Sequence, residues 1–186
     1  MVRCDGDELR SSFDDAFCAL LSRLYRRAAM LAGAHAAEDA VHEVYLKLAA
    51  APQRLLTHPQ PYAYAFSALV SVVRDEYRRG GRRALTAELA QTSAALADWD
   101  GGVEERTAEL EAVRLLGRLT VRQAATVILV DLDGYTIDQA AEILGLHRGT
   151  VSRSRARALD KLRKCVGDRR SWTTEGQGDY APHGRA

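Results

Sequence analysis

The chain has 186 residues, 47% hydrophobic and 27% charged, with 26 Lys+Arg against 25 Asp+Glu and a formal charge of +1. That length suits one medium domain or two small ones. Near-neutrality excludes a uniformly basic nucleic-acid coat protein and a polybasic membrane-surface binder. The three cysteines (Cys4, Cys18, Cys165) are widely spaced and form no C-x-x-C pair, which excludes a disulfide framework and fits a reducing cytoplasm. No apolar stretch follows Val2–Asp5 and none reaches membrane-spanning length, so neither a signal peptide nor membrane insertion is expected.

In chain order, Phe13, Phe17, Leu20, Leu21, Leu24, Ala28 and Leu31 recur at spacings of three and four and predict an amphipathic helix. A second helix runs from about Ala36 to Ala50, with Val41, Val44, Tyr45 and Leu48 inward, and Pro52 stops it. Its outward face, Asp39, His42, Glu43 and Leu46, sets an exposed leucine in an acidic strip. His42-Glu43 lacks a second histidine four residues after the first, because position 46 is Leu46; the zincin pattern therefore fails. A third helix follows Pro59 with Tyr62, Phe66, Leu69, Val73 and Tyr77 inward and ends at Gly80-Gly81. These three make an N-terminal bundle.

Charge is segregated beyond that point. Residues 74–83 carry a local +3, residues 84–113 a local −6 and residues 148–170 a local +7. Gly80-Gly81 and Gly101-Gly102 flank an Ala/Thr/Ser-rich stretch that predicts a linker. Thr120 with Gln123, and Thr136 with Gln139, match the capping box. The first begins a helix through Val121, Ala124, Ile128 and Leu132, broken at Gly134; the second begins a short helix from Ile137 to Leu144. Gly145 supplies a left-handed turn residue, and an arginine-rich helix runs from about Arg148 to Lys164. Short helix, glycine turn and long basic helix predict a helix-turn-helix. Val151, Ser154, Ala158 and Leu162 face inward, opposite Arg148, Ser152, Arg153, Ala156 and Arg157. A major groove admits such a face, and arginine is the commonest specific reader of guanine there.

From Phe13 to Lys164 the chain resembles the two-domain extracytoplasmic-function (ECF) sigma factors of bacterial RNA polymerase. The strongest piece is Leu119–Leu162, with Asp131-Leu132-Asp133-Gly134-Tyr135-Thr136-Ile137, Gln139-Ala140-Ala141, Leu144-Gly145-Leu146 and Gly149-Thr150-Val151. It is similar to the family's fourth region, which binds the minus-35 element and the β flap. Ala37–Leu48 is similar to the surface that docks on the β′ clamp helices. Residues Pro61–Arg79 resemble the helix that melts and reads the minus-10 element. The chain departs from the usual pattern at His42 (commonly Gln), Tyr64 (commonly Trp) and Ser71 (commonly Asn).

The resemblance implies an all-α fold with residues 1–11 as a tail, 12–80 as region 2, 81–105 as an acidic flexible linker, 106–166 as region 4 and 167–186 as a disordered tail. It implies core-polymerase docking through Asp39, His42, Glu43 and Leu46. The minus-10 contacts would be Tyr64 stacking on a base, Ser71, and Arg74, Arg78 and Arg79 on phosphates. In the minus-35 contact Arg153 and Arg157 would read bases beside Ser152 and Ala156, with Arg148, Thr150 and Arg155 completing the face. Core polymerase, promoter DNA and an anti-sigma factor are the implied partners. The implied protein is cytoplasmic, with no cofactor, metal or catalysis of its own. The alternative is a free-standing homodimeric helix-turn-helix regulator.

Overall fold

A computed structural model describes residues 4–80 and 103–175. Residues 1–3, 81–102 and 176–186, including most of the expected linker and the end of the expected tail, lie outside the described residues. Everything described is helix, turn or short connection, and no strand occurs among these residues.

The N-terminal unit contains α1 (Cys4–Ala32), α2 (Ala34–Ala49), α3 (Pro52–Leu56) and α4 (Pro61–Gly80). Gly33, at φ 88, separates α1 from α2, and its amide donates to the Ala29 carbonyl at 2.9 Å. That positive φ strains other residues and not glycine. Ala28, Ala37 and Ala40 are wholly buried and keep the paired helices close. Around them lie Phe13, Leu24, Val44, Phe66, Leu69 and Val73, each at most 1% exposed; full burial of one such side chain stabilises by roughly 1.5–3 kcal/mol. Pro52 was expected only to end α2. It also occupies the first turn of α3, where its fixed φ is helical and its missing N–H is not needed. The expected three-helix bundle thus gains a fourth, one-turn helix, which seats Leu55 in the core. Leu21, expected inward, is 41% exposed.

The C-terminal unit contains α5 (Val103–Leu116), α6 (Val121–Val127), a π turn (Ile128–Leu132), α7 (Ile137–Leu144) and α8 (Arg148–Glu175). Both expected capping boxes form: the Thr120 and Thr136 hydroxyls accept from the Gln123 and Gln139 amides, and the two glutamines accept in return. Helix α5 occupies part of the acidic block. Helix α8 continues to Glu175 and passes Gly167, where an unstructured tail was expected to open. A single interior glycine costs a helix only about 1 kcal/mol, so Gly167 alone does not end it.

The π turn is the main departure from the expected pattern. Regular spacing through Ala124 and Ile128 predicts Leu132 inward. Instead the Asp133 amide bonds the Ile128 carbonyl, five residues back, at 2.8 Å. The extra residue in the turn rotates everything after it by about one position. Leu132 is therefore 46% exposed, and the Asp133 side chain turns inward. The apolar core runs without a break from the N-terminal helices into α5–α8. No helix among the described residues is long and apolar enough to cross a membrane.

Candidate nucleic-acid interface

Helices α7 and α8 meet at Gly145, which adopts φ 61, ψ 38 and caps α7 through its amide. The Leu146 amide then bonds the Ala141 carbonyl at 2.9 Å, turning the chain sharply. At the start of α8 the His147 imidazole accepts from the Gly149 amide at 3.1 Å, while the His147 carbonyl accepts from Thr150. Val151, Ser154 and Ala158 are buried and Leu162 is half-buried, as expected. Ser152, Arg153, Ala156 and Arg157 are all exposed. Spacings of one, three and one place these four on one helical face, accessible to a groove. Thr150 is half-buried.

The arginines on α8 are not equivalent. Arg155 grips Asp131 of the π turn through Nε and Nη2, and the hydrogen bond to Asp131 raises its pKa above the ordinary value. Arg148 pairs with Asp138 at 3.1 Å, both side chains about two-thirds exposed, a pair of little energetic weight. Among the described residues, Arg153 and Arg157 form no ion pair. Sequence spacing did not reveal the Asp131–Arg155 link, because its partners stand 24 residues apart.

On α4, Tyr64 is half-buried and stacks on His58, ring centroids 5.1 Å apart at 22°. Ser71 accepts from Lys47 of α2 at 3.2 Å. Arg74, Arg78 and Arg79 are exposed; the last two lie in the final turn, where cations also favour the helix dipole. On α2, Asp39, His42, Glu43 and Leu46 form one exposed strip, and Leu46 is 50% exposed. The structure therefore presents three exposed surfaces, on α2, α4 and α8. Among the described residues no group of three or more His, Cys, Asp or Glu can hold a metal ion. Cys18 is exposed and Cys165 half-buried, both as free thiols.

One cluster lay outside the sequence-derived sites. Asp133, with its side chain 1% exposed, accepts from Arg27 Nη2 at 2.7 Å, Arg23 Nη2 at 2.9 Å and the Tyr62 hydroxyl at 2.7 Å. The Arg23 guanidinium lies 3.5 Å above the Tyr62 ring centroid. Burial and then the hydrogen bond to Asp133 push the Tyr62 phenol far above its ordinary pKa. Burial alone lowers Arg23, but its hydrogen bond to Asp133 and the surrounding charges leave it raised.

These features define an all-α protein carrying a helix-turn-helix. Residues 109–162 match the family described as Sigma-70, region 4. Over 69 residues the chain is 42% identical to the ECF RNA polymerase sigma factor SigM from two strains of Mycobacterium tuberculosis. The match covers 35% of this chain and 35% of each relative, so the chain spans about a third of the length of the curated relatives it matches. Its fold is similar to the sigma factor RpoE in a co-crystal structure with the anti-sigma factor NepR from Bartonella quintana. That likeness has a TM-score of 0.61 at 21% sequence identity and covers 84% of this chain and 97% of the other.

Proposed function

We propose that this chain is a sigma factor of the ECF type, which binds core RNA polymerase and directs initiation at promoters carrying its minus-10 and minus-35 elements. The observation that carries the proposal is the exposed Ser152, Arg153, Ala156 and Arg157 face of α8, within the segment matched to region 4. Arg153 and Arg157 read base edges, each bidentate contact being worth about 1–3 kcal/mol of discrimination. Arg148 and Thr150 position the helix on the backbone, and Arg155, paired with Asp131, joins them only when that pair opens. On α4, Tyr64 stacks on an unpaired base after leaving His58, with Ser71 beside it and Arg74, Arg78 and Arg79 on phosphates. Asp39, His42, Glu43 and Leu46 dock on the β′ clamp helices, and the C-terminal unit meets the β flap. The domain limits follow: region 2 over residues 12–80, region 4 over residues 106–166.

Such a protein works in the cytoplasm. RpoE was crystallised with an anti-sigma factor, and a regulator of that kind is a further partner. The test is transcription by purified core polymerase from a matched promoter, with and without the chain, using wild type and Leu46→Asp. Promoter-specific transcripts appear only with the wild-type chain if the proposal is right. Transcripts that do not depend on the chain, or operator binding by a homodimer without polymerase, sink it.

A further inference from the structure

We propose that Arg23, Arg27 and Tyr62 form a carboxylate-binding site on the N-terminal unit, that its occupant is Asp133 of the same chain, and that this contact is a lock holding the two units closed. The three donors come from two helices: Arg23 and Arg27 stand one turn apart on α1, and Tyr62 begins α4. They converge on one carboxylate at 2.7–2.9 Å. Asp133 comes from the other unit, where the π turn aims it inward and Gly134, at φ 76, lets the chain leave at once.

The chemistry of the site makes it a lock rather than ordinary packing. Without Asp133, closure sets two guanidinium groups side by side with no acid between them, whereas separation returns both to water. Removing one partner of a buried pair leaves the other charge uncompensated. The closed state also leaves Arg27 Nε buried without a hydrogen-bond partner among the described residues, a defect that opening relieves. The carboxylate thus adds to the apolar packing between the units a joint whose loss leaves two guanidinium groups opposing closure.

The consequence for function rests on the sigma-factor proposal. Minus-10 and minus-35 positions lie about 25 base pairs apart, roughly 85 Å of duplex at 3.4 Å per pair. The longest helix described has 29 residues, about 44 Å. Because Tyr62 at the start of α4 bonds Asp133, and Asp131, two residues earlier, bonds Arg155 of α8, the clasp holds the proposed reading faces of α4 and α8 far closer than that span of duplex, and the closed units cannot serve both elements together.

The experiment is small-angle X-ray scattering of the full chain, wild type against Asp133→Ala, with helicity checked by circular dichroism. A closed chain of this length has a radius of gyration of roughly 16 Å before any tails are counted. Asp133→Ala is expected to raise the radius by a quarter or more while keeping its helical signal. An unchanged radius with retained helicity overturns the lock. If Asp133→Ala loses its helices, Tyr62→Phe decides the matter, since it removes one hydrogen bond and keeps the ring and every charge. Hydrogen exchange at the π turn should then be at least threefold faster than in wild type, and unchanged exchange overturns the proposal. Neither measurement contains polymerase or promoter, so failure of the lock and failure of the sigma-factor proposal are separately visible.

Discussion

Asp131 and Asp133 stand two residues apart at one π turn, and both bind arginine, but one partner lies in their own unit and the others lie in the other unit. Asp131 keeps 26% of its side chain in solvent and grips Arg155 of α8 within its own unit. Asp133 keeps 1% and grips Arg23 and Arg27 of the other unit, with Tyr62 as a third donor. The residue type is the same, and so is the class of partner. Burial separates them: an exposed pair contributes about 0–1 kcal/mol, while breaking a buried pair from one side costs about 3–5 kcal/mol. An acid near an arginine is therefore a surface trim or a structural joint depending on which way one extra turn residue points it.

Asp133→Ala gives the largest effect and the sharpest test of this contrast. It should remove about 3 kcal/mol from whichever unfolding transition separates the two units, the low end for a buried pair because Arg23 is 41% exposed. Urea unfolding followed by circular dichroism reads it. A loss below about 1 kcal/mol would place the two aspartates on the same footing and break the comparison.

Tyr62→Phe comes next, at about 1.5 kcal/mol for one hydrogen bond to a charged acceptor. Its pH dependence has a defined sign. The phenol is raised above its ordinary value of 10.0 by burial and by Asp133. Its contribution is thus fully present below about pH 10 and lost as pH rises through the folded-state value. The stability advantage of wild type over Tyr62→Phe should be flat from neutrality to about pH 10 and narrow above it. The comparison with the variant isolates Tyr62, because Tyr45, Tyr77 and Tyr135 are raised as well. An advantage that stays constant well above pH 10 would show that the hydroxyl does not depend on the clasp.

Much of the fold was legible in the sequence, for reasons visible at particular residues. Local rules worked where a local cause decides the outcome: the capping boxes at Thr120 and Thr136 formed, Gly145 turned left-handed, and Val151, Ser154 and Ala158 faced inward. The exposed strips on α2 and α8 followed from the same periodicity. Extrapolation failed at Leu132, because strict 3.6-residue spacing has no term for an inserted π residue. The Asp133 clasp lay beyond reach for a second reason. Arg27 is 106 residues from Asp133 and Tyr62 is 71 residues away, and no spacing rule connects such positions. Asp133 belongs to the Asp131–Ile137 motif, which by itself assigns it no partner.

The other half of the comparison predicts small effects on stability and a readable one on DNA. Asp131→Ala should cost no more than about 1 kcal/mol, since Arg155 remains 35% exposed and water replaces its partner. Loss of the acid frees the Arg155 guanidinium beside the proposed reading face of α8. If it then takes a phosphate, the slope of log affinity against log salt for promoter DNA should steepen by about 0.9, the release of roughly one more counterion. Arg153→Ala, in contrast, should relax base preference at one minus-35 position by about 1–3 kcal/mol and leave other positions unaffected. Fluorescence anisotropy across a salt series, with single-base substitutions in the duplex, separates the two outcomes. A salt slope unchanged by Asp131→Ala would show that Arg155 is turned away from the backbone for reasons other than its acid, and that Asp131 merely decorates the turn from which Asp133 closes the molecule.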